Sequence, residues 1–295
     1  MRRILVFGGT RYFGKRLVQL LLDAGDEVTL ASRMMTPDPF GDRVKRIQLD
    51  RTNRESMQKG LQGKTWDLVY DQICYSPNDA LIACEILKDK TKRYILTSTQ
   101  SVYLEDGIWQ ETDFNPFTEA YKLGSARDFP YGQAKRYAES VFFQTATFPV
   151  AAMRIPIVLG EDDYKGRLEF HIRKTIKGEP QVIPNENAET GFIHSSDAAK
   201  FLFWLGRETT TNGPLNAASP ETISIGNLLK KIGLAVGRAS LVYSEGDPKD
   251  ETALVDRESS YLKVTKAQNL GYEFMPLESW LPGLIEHYIH LETRI

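Results

Sequence analysis

Short apolar segments alternate with amphipathic ones from the first residues of this chain, and that alternation restricts its fold more than any other feature. "RRILVF" has the character of a buried strand. A glycine-rich turn follows, and "GKRLVQLLLDAG" then repeats apolar residues at helical spacing up to Gly25, which is placed to cap the helix. The order continues with "DEVTLA" and "VKRIQL" as strands, "NRESMQKGLQ" as helix, "WDLVYD" as strand, "NDALIACEILKD" as helix and "RYILTS" as strand. Strands alternating with helices of about a dozen residues build βαβ units, and these give a parallel sheet covered on both faces. The expected class is α/β, with a doubly wound parallel sheet.

After Ser98 the rhythm loosens. A stretch rich in proline, glycine and aromatic residues, Tyr103 to Pro130, precedes the helix "YGQAKRYAESVFFQTA" and the strand "PVAAMRI". Long loops beside a parallel sheet are commonly functional. A second irregular stretch, Gly160 to Gly191, and the tail from Ser219 onward read as insertions forming a smaller C-terminal lobe. The expected division is residues 1–160 as a nucleotide-binding domain to which 191–218 return, with 161–190 and 219–295 as a substrate-binding lobe.

With 295 residues, 41% of them hydrophobic, the chain can bury one large core or two coupled smaller ones. A charged fraction of 26% and a net charge of −2 describe an ordinary soluble protein and speak against a non-specific grip on nucleic acid, which requires a basic face. No apolar run is long enough to span a bilayer and no cleavable leader precedes the first strand, so the expected location is the cytoplasm. Cys74 and Cys84 are expected as buried free thiols, since a reducing compartment disfavours their pairing. Four dispersed histidines and two cysteines show no metal-ligand spacing.

Gly8 and Gly14 in "GGTRYFG" bracket a turn between strand and helix, where glycines let the backbone approach a pyrophosphate at a helix N-terminus. The same turn also occurs as a tight connection with no ligand. Its central position holds Arg11, which removes backbone freedom and adds a permanent charge. At the end of the second strand, where NAD-binding folds place an acid for the adenosine ribose, the chain reads "TLASR". Ser32 stands at the acidic position and Arg33 follows. Nothing there repels a 2′-phosphate, and Arg11 and Arg33 could converge on one, so NADP is expected ahead of NAD unless both arginines are merely solvated.

"YGQAK" sets Tyr131 and Lys135 four residues apart on one helix, hence on one face. A lysine ammonium beside a tyrosine ring stabilises phenolate and makes it a usable general base. Tyr131 would take the hydroxyl proton as hydride leaves for nicotinamide, and Lys135 would also bond the nicotinamide ribose. Thr99, at the end of "ILTST", offers a hydroxyl to orient the substrate oxygen, although a threonine at a strand end can equally bond its own backbone.

These residues, with "LDRTN", "YDQICY", "ILTSTQSVY", "RIPIVLG", "GFIHSSDAAK" and "NLGYEFMPLESWLPGL" in order, resemble the extended short-chain dehydrogenase/reductase superfamily, in particular its NAD(P)-dependent sugar-nucleotide epimerase/dehydratase branch. The "GGTR" loop is similar to a sub-branch that includes chloroplast stem-loop-binding proteins. The resemblance implies a Rossmann domain and a small-molecule substrate, a sugar nucleotide foremost. It assigns the loop residues Gly8, Thr10, Arg11, Tyr12, Phe13 and Gly14 to the cofactor, with Ser32 and Arg33 beside the ribose and Asp50 and Arg51 at the adenine edge. Gln72, Ile73 and Cys74 would form the floor beneath the ribose and nicotinamide, Thr97 and Ile155 would complete the cofactor site, and Thr99, Tyr131 and Lys135 would carry catalysis. His194 and Asp197 would tie the two lobes together, and Arg167 would either meet a diphosphate or lie on the surface. Relatives often dimerise through the helix bearing the tyrosine, though "AESVFFQTA" fits core packing equally well.

Some positions depart from the branch. Its 4,6-dehydratases follow the serine or threonine with two acids, whereas Thr99 is followed by Gln100 and Ser101. Its epimerases usually keep an asparagine where this chain has Ile157. The reaction implied is alcohol oxidation, carbonyl reduction or epimerisation. A cofactor-binding regulator without turnover and an RNA-binding protein are the rival classes.

Overall fold

The alternating apolar segments become seven strands of one sheet in the computed structural model, which describes residues 1–247, 254 and 258–293. The strands, numbered along the whole chain, are β1 (Arg3–Phe7), β2 (Glu27–Ser32), β3 (Lys45–Gln48), β4 (Leu68–Asp71), β5 (Tyr94–Thr99), β7 (Val150–Ile155) and β11 (Gly213–Asn216). They lie in the order β11-β7-β5-β4-β1-β2-β3, and every neighbouring pair is parallel. This is the expected doubly wound arrangement. The direction of winding reverses between β1 and β4, and such a switch point opens a crevice at the C-terminal ends of the strands.

The sheet belongs to a unit made of Met1–Leu104, Glu111–Ile155 and Ala198–Asn216. Its central strands are buried on both faces: Ile4 to Phe7 and Ala151 to Met153 are wholly covered, which explains their unbroken apolar runs. Helices α1 (Tyr12–Asp23), α2 (Arg54–Gly60), α3 (Pro77–Leu87) and α4 (Tyr131–Thr145) connect or cover the strands, and the chain re-enters the unit at Ala198 within α6 (Ser195–Arg207). Leu17, Val18 and Leu21 form the inward stripe of α1. The helix ends as expected, with Gly25 at φ +74° and the Asp26 amide donating to the Leu21 carbonyl.

One charged network lies inside this apolar unit. Arg154, on β7, and Glu139, on α4, are both fully buried and paired, with Arg154 Nε donating to Glu139 Oε1 at 3.0 Å. Arg154 Nη1 also donates to the Tyr103 hydroxyl and the Glu111 carbonyl, and Nη2 to the Phe114 carbonyl. The Ser98 hydroxyl donates to Glu139 Oε2 at 2.6 Å, and the Tyr103 hydroxyl to Asn216 Oδ1 at 2.8 Å. Burial opposes the charge on Arg154, but the Glu139 carboxylate and the Tyr103 hydroxyl together more than offset it and the guanidinium pKa rises. The network joins β5, β7, β11, α4 and the long loop after β5.

The second unit comprises Glu105–Gln110, Pro156–Asp197 and Ala217–Ile295. It holds strands β6 (Ile108–Trp109), β8 (Ile157–Leu159), β9 (Pro180–Val182), β10 (Glu189–His194), β12 (Thr222–Ser224), β13 (Leu241–Tyr243) and β14 (Tyr261–Leu262). Its helices are α5 (Arg167–Lys177), α7 (Ile225–Val236), α8 (Thr265–Asn269) and α9 (Leu277–Thr293). β12, β10 and β8 form a three-stranded sheet, and Ile172, Leu228, Ile232, Trp280, Leu281 and Leu284 share a core. The chain's division differs from the sequence reading in detail. Residues 105–110 join the second unit because β6 pairs with β14, the segment 156–160 joins it because β8 pairs with β10, and the returning segment is 198–216. The stretch 160–191 is also more regular than expected. Leu168, Ile172 and Thr175 give α5 a buried stripe, and Gly178, at φ +65°, caps it. Among the described residues no helix is long and apolar enough to cross a membrane.

Removing one partner of the buried pair leaves the other charge unpaired in an apolar interior. Glu139→Ala is therefore expected to lower the unfolding free energy by about 3–5 kcal/mol in urea titrations, whereas Glu139→Leu combined with Arg154→Met should cost less. A loss below about 1 kcal/mol for the single variant would contradict this account.

Candidate functional site

The glycine loop leaves β1 at the switch point and packs against the segment that leaves β4. Gly8 sits at φ +85°, and a Cβ there would come within 2.9 Å of Ile73 Cγ2. A Cβ on Gly14 would overlap the Gly8 carbonyl oxygen and the Gln72 side-chain amide, so loop and floor touch without space for side chains. Arg11 stands in this loop without backbone strain. Its φ of −134° and ψ of 158° are open to any residue, and it precedes α1, whose first turn has neither an acidic residue nor a side-chain cap. The left-handed conformation falls instead on Tyr12, at φ 51°, whose ring is buried.

The floor is fixed from below. Asp71, at the end of β4, accepts the Ile73 amide at 3.0 Å and the Arg51 Nε proton at 2.8 Å, and the Tyr94 hydroxyl also donates to it. The side chains of Arg51 and Asp71 are buried, and Arg51 Nη1 approaches Asp79 Oδ1 at 3.8 Å. Burial opposes the Arg51 charge, but the surrounding groups, Asp71 foremost, together outweigh it and raise the guanidinium pKa. The sequence reading put Arg51 at the adenine edge. The structure turns its side chain inward, where it neutralises a buried carboxylate. Asp50 stays at the surface, where the Thr52 hydroxyl and amide hold its carboxyl below the ordinary range and the Arg33 charge adds to the effect. Cys74 and Cys84 are buried free thiols, and burial pushes Cys74 up to about 12, which keeps it protonated.

Lys135 joins this floor to the next strand. Its ammonium donates to the carbonyls of Cys74 and Thr97, each at 2.7 Å, and so bridges the ends of β4 and β5. An ammonium has three N–H groups, so one remains. The Nζ also lies 5.6 Å from the centroid of the Tyr75 ring. Thr99 is 8% exposed; its hydroxyl oxygen accepts the Ser101 amide and donates towards Ser101 Oγ, capping the 3₁₀ turn Gln100–Tyr103. The local backbone bond considered for it from sequence is therefore present.

Helix α4 is held close to that turn. Gly132 has no room for a Cβ, which would overlap the Ser101 carbonyl oxygen, and Arg136 donates to the Val102 carbonyl at 2.7 Å. The first turn of α4 thus rests on the residues that follow Thr99. Tyr131, the first residue of the helix, is 54% exposed. Arg136 further binds Glu119, and Gln144 donates to the Pro116 and Glu119 carbonyls, tying down the long loop singled out in the sequence. Gly132, Glu139 and Arg154 escaped the sequence reading as parts of this site. The glycine inside "YGQAK" was the available signal for the first.

At the end of β2 the Ser32 hydroxyl oxygen accepts the Met34 amide, and Arg33 is exposed. Arg11 Nη2 donates to Thr36 Oγ1 at 3.0 Å, so the Arg11 side chain reaches the segment that follows Arg33. Thr97 Oγ1 and Gln72 Nε2 are buried polar atoms without a partner among the described residues, at the ends of β5 and β4. In the second unit Asp197 accepts from the Tyr272 hydroxyl and the Met275 amide, His194 Nδ1 lies 2.7 Å from Ser196 Oγ, and Arg167 pairs with Asp163. These bonds of Asp197 and His194 run to residues of the same unit, and the pairing of Arg167 offers no support for a diphosphate site.

Comparison with known proteins places this geometry. Residues 4–76 match the model of the NAD dependent epimerase/dehydratase family. The chain is 24% identical over 251 residues, 80% of its length, to the chloroplast stem-loop binding protein of 41 kDa b from Arabidopsis thaliana, and it spans 64% of the length of that relative. Among solved structures it is similar to the UDP-glucose 4-epimerase of Thermus thermophilus in complex with NAD, with a TM-score of 0.72, 18% identity and coverage of 97% of this chain and 98% of that one. The dTDP-glucose 4,6-dehydratase of Bacillus anthracis in complex with NAD gives 0.75 at 16% identity, covering 99% and 98%. WbmG of Bordetella bronchiseptica in complex with NAD and UDP gives 0.73 at 16%, covering 99% and 96%. Residues 4–76 thus match the model of that family, and the whole chain shares the fold of these solved structures.

Proposed function

We propose that this chain is a nicotinamide-dinucleotide-dependent oxidoreductase or epimerase acting on an alcohol or carbonyl carbon of a sugar nucleotide. The observation that carries the reading is Lys135. Its ammonium is fixed between the carbonyls of Cys74 and Thr97 with one N–H to spare, at the rim where the glycine loop meets the floor residues Gln72 and Ile73. Buried lysines are uncommon, and one held by backbone carbonyls next to a glycine loop is suited to a ribose hydroxyl.

The residues fit a dinucleotide on two counts. Gly8 and Gly14 keep the contact between loop and floor free of side chains, and the buried polar atoms Gln72 Nε2 and Thr97 Oγ1, at the ends of the neighbouring strands β4 and β5, lack partners among the described residues. Gly8, Thr10, Arg11, Tyr12, Phe13 and Gly14 would hold the pyrophosphate, with Ile73, Cys74 and Ile155 beneath the nicotinamide end. A bound nicotinamide supplies the hydride acceptor or donor. Tyr131 would move the proton of the substrate hydroxyl, Lys135 would favour its phenolate and hold the ribose, and Thr99 would orient the substrate oxygen. UDP-glucose 4-epimerase and dTDP-glucose 4,6-dehydratase, among the similar structures, act on sugar nucleotides by name, which supports that substrate class here.

NADP is the preferred form in this proposal, although the similar structures carry NAD. Ser32 brings no negative charge to the end of β2, Arg33 is exposed beside it, and Arg11 extends towards Thr36. Asp50 would remain at the adenine edge.

NADPH should bind at least tenfold more tightly than NADH in fluorescence titrations, and Arg33→Ala should erase most of that difference, since a charge-assisted bond to phosphate contributes about 1.5–3 kcal/mol. Tighter NADH binding by the wild type would overturn the preference. Tyr131→Phe should keep NADPH affinity and lose turnover by about 10²–10⁴-fold; unchanged turnover would remove Tyr131 from the mechanism. Gly132→Ala should also keep NADPH affinity while lowering turnover, because the added methyl lifts the first turn of α4 off Ser101. A variant as active as the wild type would show that this contact does not set the position of Tyr131.

A further inference from the structure

Tyr75 lies outside every role assigned so far, yet it is the residue immediately after the floor. Its ring carries the Lys135 ammonium 5.6 Å from its centroid, and the residue is 44% exposed. A single exposed aromatic residue is ordinary on a protein surface. This one differs in how its backbone is held. The preceding carbonyl, that of Cys74, accepts from Lys135 at 2.7 Å, and the Tyr75 amide donates to Asp79 Oδ2 at 3.2 Å. The next residue, Ser76, caps α3 by accepting the Asp79 amide. The ring is thus mounted on a segment tied at three consecutive residues.

A tyrosine with a fixed backbone presents a large contact area at little entropic cost, and its ring face attracts positively polarised groups. The ammonium accounts for part of that surface, and much of the remainder is exposed. Chemically, the outward C–H groups of a pyranose match such a face, because a sugar has an apolar side between its hydroxyls. Tyr131 precedes Lys135 by one turn on the same helix, so a ring set against Lys135 is the aromatic face adjoining the element that would receive a substrate carbon.

We propose that Tyr75 is a specificity-determining residue whose ring forms the wall against which the hexose of a sugar nucleotide stacks. The inference rests on the sugar-nucleotide reading above and adds to it the residue that recognises the sugar rather than the nucleotide.

Calorimetric titration of the full chain, saturated with NADPH, with UDP-glucose and with UDP tests the proposal, because the two probes differ only by the sugar and its linkage to phosphate. Tyr75→Phe keeps the ring, and Tyr75→Leu keeps apolar bulk without a planar face. UDP-glucose affinity should fall about tenfold in Tyr75→Leu and stay near wild type in Tyr75→Phe, while UDP and NADPH affinities hold in both. Unchanged UDP-glucose binding by Tyr75→Leu overturns the proposal and leaves the sugar-nucleotide reading intact. Equal losses for UDP-glucose and UDP, or a loss of NADPH affinity, overturn it by assigning Tyr75 to the shape of the floor. A wild-type protein that binds neither UDP-glucose nor UDP overturns the substrate reading and this inference together.

Discussion

The pairing of Arg154 with Glu139 in the middle of the first unit is the contact on which the rest of its site depends. Two charges taken fully out of water are costly, and such a pair is seldom the most stabilising filling for a core. Its geometry is nevertheless demanding, because the guanidinium also satisfies Tyr103, Glu111 and Phe114, and the carboxylate also accepts from Ser98. Each of these bonds fixes a different segment. Fully satisfied polar networks of this kind define one arrangement of the elements around them, while an apolar filling would allow several. The element so defined is α4, which carries Tyr131 and Lys135 on the turns before Glu139.

A second buried pair, Arg51 with Asp71, does the corresponding work beneath β4. Asp71 holds the Ile73 amide and so shapes the floor under the glycine loop. Lys135 connects the two constructions, since one of its carbonyl partners belongs to the floor and the other to β5. The β4 side of the switch point is therefore braced by charges buried in the interior. Loops that bind ligands are commonly the least stable parts of a fold, and here their supports are among the most buried.

Much of this was legible from residue order. The βαβ rhythm needs only local periodicity, and the glycine loop and the tyrosine-lysine spacing each sit within a few residues, so the doubly wound parallel sheet and the places of that loop and that helix along the chain could be read directly. What could not be read depends on where long side chains go in three dimensions. Arg51 follows Asp50 and looks like a surface residue, but its carboxylate partner is 20 residues away, and only the folded sheet brings the two together. Glu139 and Arg154 give no sign in sequence that both are interior. The helix Arg167–Lys177 was missed for another reason: it is rich in charge, and its stripe of Leu168, Ile172 and Thr175 is narrow.

The arginine in the glycine loop follows from the same geometry. A central glycine is required where the chain must take a positive φ or where a side chain would collide. At residue 11 the chain is extended, so the first requirement is absent, and the side chain leaves the loop towards Thr36. The positive φ has moved one residue along, to Tyr12, where it costs roughly 1–2 kcal/mol and is held in place by burial of the ring. The loop thus keeps a close approach at Gly8, Gly9 and Gly14, where a Cβ would collide with its neighbours, and gains a cation at the position that can accept one. That exchange leaves the loop's close backbone contacts intact while adding positive charge on the side of the loop that faces the end of β2.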